Sequence, residues 1–180
     1  MQIIHRILAG ILILTGLLAT VIGITTPGET TIVHTEVIRS PSSVIWPVLA
    51  DPERMPSWQT GMVRVTPEKR GGLEEGMILK CYTHRYDPGL FHEERVIRVN
   101  PEKNLTLMRV RSEQNTVLRD FSQIYELKRL LDGTTELTYR IYYRCPGFIS
   151  RIYNRLYQEK YISTRGREDI RRLKALIEKI

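Results

Sequence analysis

The sequence predicts an α+β domain, a curved antiparallel sheet wrapped around one long C-terminal helix, preceded by a single N-terminal transmembrane helix. Three observations carry this reading. An eighteen-residue apolar run opens the chain, alternating segments divided by turn residues fill its middle, and a basic amphipathic stretch closes it. At 180 residues the chain has room for one ordinary domain and an appendage.

The opening run, Ile7 to Ile24 (ILAGILILTGLLATVIGI), has Thr15 and Thr20 as its only polar side chains. At about 1.5 Å per residue it covers roughly 27 Å, close to the ~30 Å hydrocarbon core of a bilayer. His5 and Arg6 precede it, and Thr26-Pro27-Gly28 end it. A cleaved signal peptide is the competing reading. Its apolar stretch usually runs about 7–15 residues and ends in an A-x-A-like site; here the nearest small pair is Gly23 with Thr25. A buried core helix would normally present a polar face. The expectation is therefore a retained anchor over residues 1–28 and a domain over 29–180. Arg6 lies before the span and the next basic residue after it is Arg39. The positive-inside bias thus places the N-terminus in the cytoplasm and the domain on the non-cytoplasmic side. Ala19 and Gly23 form a small-xxx-small pair of the kind that lets membrane helices approach.

Thr30 to Arg39 alternates and is rich in β-branched residues, which predicts a strand. Ser40-Pro41-Ser42 suits a helix start, and Val44, Ile45, Val48 and Leu49 then fall at helical spacing. Asp51 to Arg54 predicts a second short helical turn with Asp51 as its cap, leading to Trp58. From Met62 the period becomes two. Met62–Pro67, Met77–Tyr82, Phe91–Val99, Leu105–Arg111, Phe121–Leu127 and Thr135–Tyr143 read as successive strands, with an Asp132-Gly133 hairpin signal before the last. Pro146-Gly147 resets the chain into one helix. Its predicted core stripe runs Ile149, Ile152, Tyr153, Leu156, passes Ser163 and Gly166, and continues through Ile170, Leu173, Ile177 and Ile180. Small residues in mid-stripe leave room for a ligand cavity or let the sheet come closer. This segment, 149–180, carries nine basic residues against four acids, so much of the formal net charge of +7 sits on it. A solvated helix face accounts for that run, although a basic face also suits anionic headgroups.

The order resembles the polyketide cyclase/dehydrase and lipid-transport group of the START-like (SRPBCC) superfamily, whose fold is the helix-grip. The stretches that carry the likeness are IRSPSSVIWPVLADPERMPSW, GGLEEGMIL, VIRVNPEKNLTL, DGTTELTYR and PGFISRIY, in that order between Thr31 and Ile180. The resemblance implies a deep cavity between sheet and final helix for a hydrophobic or amphipathic small molecule. Relatives of this kind include carriers, ligand sensors and a minority of cyclases, and no universal catalytic motif transfers. An N-terminal membrane helix lies outside the family pattern and disfavours a freely diffusing carrier.

No G-x-S-x-G, H-E-x-x-H, P-loop or dinucleotide fingerprint occurs, so no cofactor is expected. Cys81 and Cys145 lack C-x-x-C spacing, so no metal site is expected; a disulfide or two buried thiols remain open. Basic charge without interleaved exposed aromatics does not suit nucleic acid. The candidate cavity residues are Trp58, His92, Arg109, Tyr139, Ser163 and Gly166. A cyclase would need an inward acid/base pair such as His92 with Glu94 or Tyr139; alternatively Glu93, Glu94 and Arg95 are solvent-face charges, and His84 to Pro88 an exposed turn. Arg109, if inward, suits a ligand carboxylate or phosphate. The expected function is a membrane-tethered binding domain for a hydrophobic or lipid-like molecule. The alternatives are a polyketide cyclase/dehydrase-like enzyme and a protein-interaction module with a filled core.

Overall fold

The computed structural model describes residues 2–179 apart from 70, 84–86, 88 and 113–117. Helix α1 spans Gln2–Thr25, and Gly23 is its one buried residue. It is long and apolar enough to cross a membrane, a test that a signal sequence also passes. Strand β1 (Glu29–Ile38) follows, then helices α2 (Ser42–Leu49) and α3 (Met55–Trp58). The second of these begins later than Asp51 predicts, because Pro52 to Arg54 form a turn instead. Asp51 still accepts the backbone N–H of Glu53.

Six further strands complete one antiparallel sheet: β2 (Arg64–Pro67), β3 (Ile78–Tyr82), β4 (Phe91–Asn100), β5 (Asn104–Ser112), β6 (Arg119–Arg129) and β7 (Thr135–Arg144). Their order is β1-β7-β6-β5-β4-β3-β2. The alternation predicted for the last strand is observed, with Leu137, Tyr139, Ile141 and Tyr143 buried. The chain ends in α4 (Phe148–Tyr153), a π-helical turn (Asn154–Gln158) and α5 (Glu159–Ile177). This is the helix-grip arrangement: the sheet curls around α5, whose Ile162, Ile170, Leu173 and Ile177 are buried.

The π turn corrects the predicted stripe. One extra residue in a turn rotates everything upstream by about a hundred degrees relative to an unbroken α-helix. Ser150 and Asn154 therefore face the domain, while Ile149 and Leu156 stand 74% and 67% exposed. Asn154 fixes that rotation, accepting from the Tyr143 hydroxyl at 2.8 Å and donating to Thr30 Oγ1 at 3.1 Å.

A bulge positions the chemistry. Glu93 pairs with Arg111 but Glu94 pairs with Arg109, leaving Val110 as an extra residue on β5. The shift sets Arg109 opposite Glu94 on the concave face, the kind of re-aiming that bulges provide.

Candidate ligand cavity

Strand alternation turns His92, Glu94 and Val96 of β4 inward, and all three are buried. His92 and Glu94 are bonded, Nε2 to Oε1, at 3.1 Å. The same oxygen accepts from Gln123 Nε2 at 2.9 Å and lies 4.0 Å from Arg109 Nη2. Gln123 Oε1 in turn accepts from the Tyr125 hydroxyl at 2.9 Å and the Tyr139 hydroxyl at 2.6 Å. Gln59 Nε2 donates to Tyr125 at 3.2 Å. A connected polar network of this kind fixes side-chain positions in a low-dielectric interior.

Burial alone would raise the pKa of Glu94, but His92, Arg109 and the Gln123 amide together outweigh it and hold the carboxyl below its ordinary range. Burial pushes the Tyr125 and Tyr139 phenols upward, so both remain neutral donors. Two buried polar atoms of the cluster, Glu94 Oε2 and Arg109 Nε, find no partner among the described residues. The Arg109 guanidinium also lies over the Phe121 ring, 4.3 Å from its centroid.

A cavity of about 210 Å³ opens beside this network, between the sheet and α5. His92, Arg109, Gln123 and Tyr139 line one side, and Leu118, Phe121, Ile141 and Ile162 provide the apolar wall. Its rim is the Gln59–Met62 segment clipped to α5. Asp169 accepts the Thr60 N–H and hydroxyl, each at 2.7 Å, and Arg165 donates to the Thr60 carbonyl at 3.3 Å. Burial raises the Asp169 pKa, partly offset by the Thr60 bonds. The volume is below the ~300–1,000 Å³ common for drug-sized ligands, which points to one ring or part of a chain.

The polyketide cyclase/dehydrase and lipid transport family matches residues 29–178. The chain belongs to that family. Two solved structures share the fold: the ZhuI aromatase/cyclase from Streptomyces sp. R1128, with TM-score 0.66, and a truncated norcoclaurine synthase from Thalictrum flavum, with 0.61. They are 14% and 15% identical to the chain over 83% of its length, covering 94% and 93% of their own. No curated protein sequence matches the chain. Family and cavity together make the domain one of the hydrophobic-ligand-binding SRPBCC type.

Of the residues predicted from sequence, this polyketide cyclase-family domain brings His92, Arg109, Tyr139 and Gly166 to one cavity. Trp58 is elsewhere. It is fully buried in the core, edge-on to Tyr125 with ring centroids 5.7 Å apart. Ser163 is also absent from the lining and is half-buried on α5. At Gly166 the sheet does come closer. An added Cβ would stand 2.8 Å from Ile141 Cδ1 and 3.2 Å from both His34 Cδ2 and Tyr139 Cε1. Glu94 is a cavity-network group and not a solvent-face charge, whereas Arg95 is exposed. His84 to Tyr86 and Pro88 lie outside the described residues.

Gln59, Gln123 and Asp169 were not singled out from sequence. Two had a legible signal: Gln123 occupies the inward register of β6 beside Tyr125 and Leu127, and Asp169 interrupts the apolar stripe of α5. Cys81 is paired with His92 across β3 and β4, and the ligand atoms of Cys81, His92 and Glu94 lie within 4.8 Å of one another. Such a set has metal-ligating chemistry. The guanidinium of Arg109 beside Glu94 opposes a divalent cation there.

Proposed function

We propose that this domain binds an amphipathic small molecule beside the membrane in which α1 is embedded. The molecule's apolar body rests on Phe121, Ile141 and Ile162, and an oxygen-bearing group meets Arg109 and His92. The observation that carries this is the partly exposed Arg109 guanidinium lining a cavity whose other wall is apolar. A hydrogen bond from that charged guanidinium to a ligand oxygen would contribute about 1.5–3 kcal/mol. An anchor would give the domain access to molecules dissolved in the bilayer, and the positive-inside bias of Arg6 supports a non-cytoplasmic domain.

Native mass spectrometry of residues 29–180, purified without detergent, tests the reading. A co-purified amphipathic molecule, lost in Arg109→Leu, is expected. A clean apo mass that persists with added lipid extract would turn the reading towards a protein-interaction role.

A second reading has its own observation. The imidazole of His92 faces the cavity with its orientation held by buried Glu94, the arrangement a general base needs. It would remove a proton from a carbon next to a ligand carbonyl, with Arg109 stabilising the enolate oxygen. Deuterium incorporation into a bound ketone, abolished by His92→Gln, would favour catalysis; none in the wild type would leave binding alone.

A further inference from the structure

We infer that the outer face of α4 and the π turn lies on the bilayer surface and turns the cavity mouth towards the lipid. The inference rests on reading α1 as a membrane span.

Two contacts set the level of α4. The Phe148 ring packs on Gly23, so closely that any side chain at Gly23 would overlap it. Gly23 belongs to the last turn of α1, so Phe148 sits at the depth where the span ends. One helical turn further, Arg151 lies against Gly28, where an added Cβ would stand 3.2 Å from its guanidinium. The backbone joins the same place, the Cys145 N–H donating to the Gly28 carbonyl at 2.7 Å. An aromatic ring at the end of the span and an arginine just beyond it follow the depth order of a membrane interface.

From that fixed point the chain exposes Ile149, Tyr153, Leu156 and Tyr157, of which Ile149 and Leu156 are the most open. Tyrosines 153, 157 and 161 form a ladder with ring centroids 5.6 and 5.8 Å apart. Tyrosine carries an apolar body and a polar tip, which suits the headgroup region. Arg155 and Lys160 are exposed among these residues and provide charge for anionic headgroups. A solvated face would not gather large apolar side chains this way, and a face continuous with the end of a span has a bilayer already beside it.

The cavity shares this face. Tyr161 and Arg165 belong both to its lining and to the exposed surface, and the Arg165 guanidinium lies 5.1 Å from the Tyr161 ring centroid. With the face seated, a molecule leaving the headgroup layer enters beside Tyr161 without crossing bulk water.

The test uses the full chain reconstituted in phosphatidylcholine–phosphatidylglycerol vesicles. The variants Leu156→Cys and Leu131→Cys are labelled with an environment-sensitive fluorophore and quenched by spin-labelled lipid. Both positions are exposed, and Leu131 lies in the β6–β7 turn, at the opposite end of the sheet from Glu29. Cys81 and Cys145 are buried and stay unlabelled. The expected result is several-fold stronger quenching at position 156 than at 131. Equal, weak quenching in a chain that resists alkaline extraction would overturn the docking and leave the span standing. A chain stripped from the vesicles by alkali would overturn the span, and the docking with it.

Discussion

His92 and Glu94, two residues apart on β4, form a buried pair at 3.1 Å on the concave face of the sheet. The pair ties together the polar side of the cavity: Glu94 lies behind the lining and holds His92, Gln123 and Arg109, all three of which line it. Removing one partner of such a pair strands a charge where water cannot reach it.

Glu94→Gln should therefore destabilise the domain at neutral pH, by on the order of 1–3 kcal/mol, because Arg109 is partly exposed at the cavity. The amide keeps an acceptor for Gln123 but leaves Arg109 without its counter-charge. The pH dependence has a definite sign. The folded pKa of Glu94 is depressed, so its contribution is complete above the unfolded value of about 4.3 and is lost as pH falls through the folded one. Urea midpoints measured from pH 7 down to pH 3 should fall for the wild type and be flatter for the variant. Parallel curves would show that folding does not shift the Glu94 pKa, and a wild type that gains stability in acid would show that Glu94 is not ionised in the fold.

Gly166 decides how closely α5 approaches the sheet. Alanine there gains up to ~1 kcal/mol of helix propensity but drives its Cβ into Ile141, His34 and Tyr139. Overpacking of this kind costs about 1–3 kcal/mol, so the net change is a loss. Gly166→Ala should lower the urea midpoint, and a rise would mean that α5 lifts freely from the sheet. Larger residues at this position report on packing before they report on ligand binding.

The fold was legible because its signals are local. Each strand announced itself by alternation, and the Asp132-Gly133 turn and the Pro146-Gly147 break fell where the elements change. The site was only partly legible. His92 and Arg109 could be singled out as residues, but their juxtaposition depends on the extra residue Val110, and alternation does not reveal a bulge. The π turn misled in the same way. The stripe through Ile149 and Leu156 is real, yet one added residue turns it outward, and no helical period read along the sequence contains that step. Trp58 failed for another reason: its aromatic size predicts burial, and burial in a core and at a pocket mouth look alike in sequence.

Cys81 and Cys145 stay reduced within one chain. Cys81 is on β3 and Cys145 directly follows β7, with β6, β5 and β4 between them in the sheet. Four strand spacings of about 4.8 Å, roughly 19 Å along the curved sheet, lie between them, and both are free thiols. Burial also pushes both thiols upward in pKa, which lowers their reactivity. A thiol-specific chromogenic reagent should react slowly with the folded chain and reach two equivalents once it is denatured without reductant. Fewer than two equivalents would reveal an oxidised pair.

His34 supplies the domain's response to mild acid. It is buried on β1 beneath α5; burial first, and then Arg167, lower its pKa, while a backbone bond to Ser163 opposes them in part. The unfolded imidazole titrates near 6.5, so it takes up a proton before the folded one does. Stability is therefore complete above that value and falls as pH drops towards the folded pKa, by at most about 1.4 kcal/mol per pH unit for one proton. Urea midpoints between pH 7.5 and 5 should decline more steeply for the wild type than for His34→Gln. His92 is common to both chains and cancels in the difference. Equal slopes would mean that folding leaves the His34 pKa unshifted, and that neither its burial nor Arg167 acts on the imidazole.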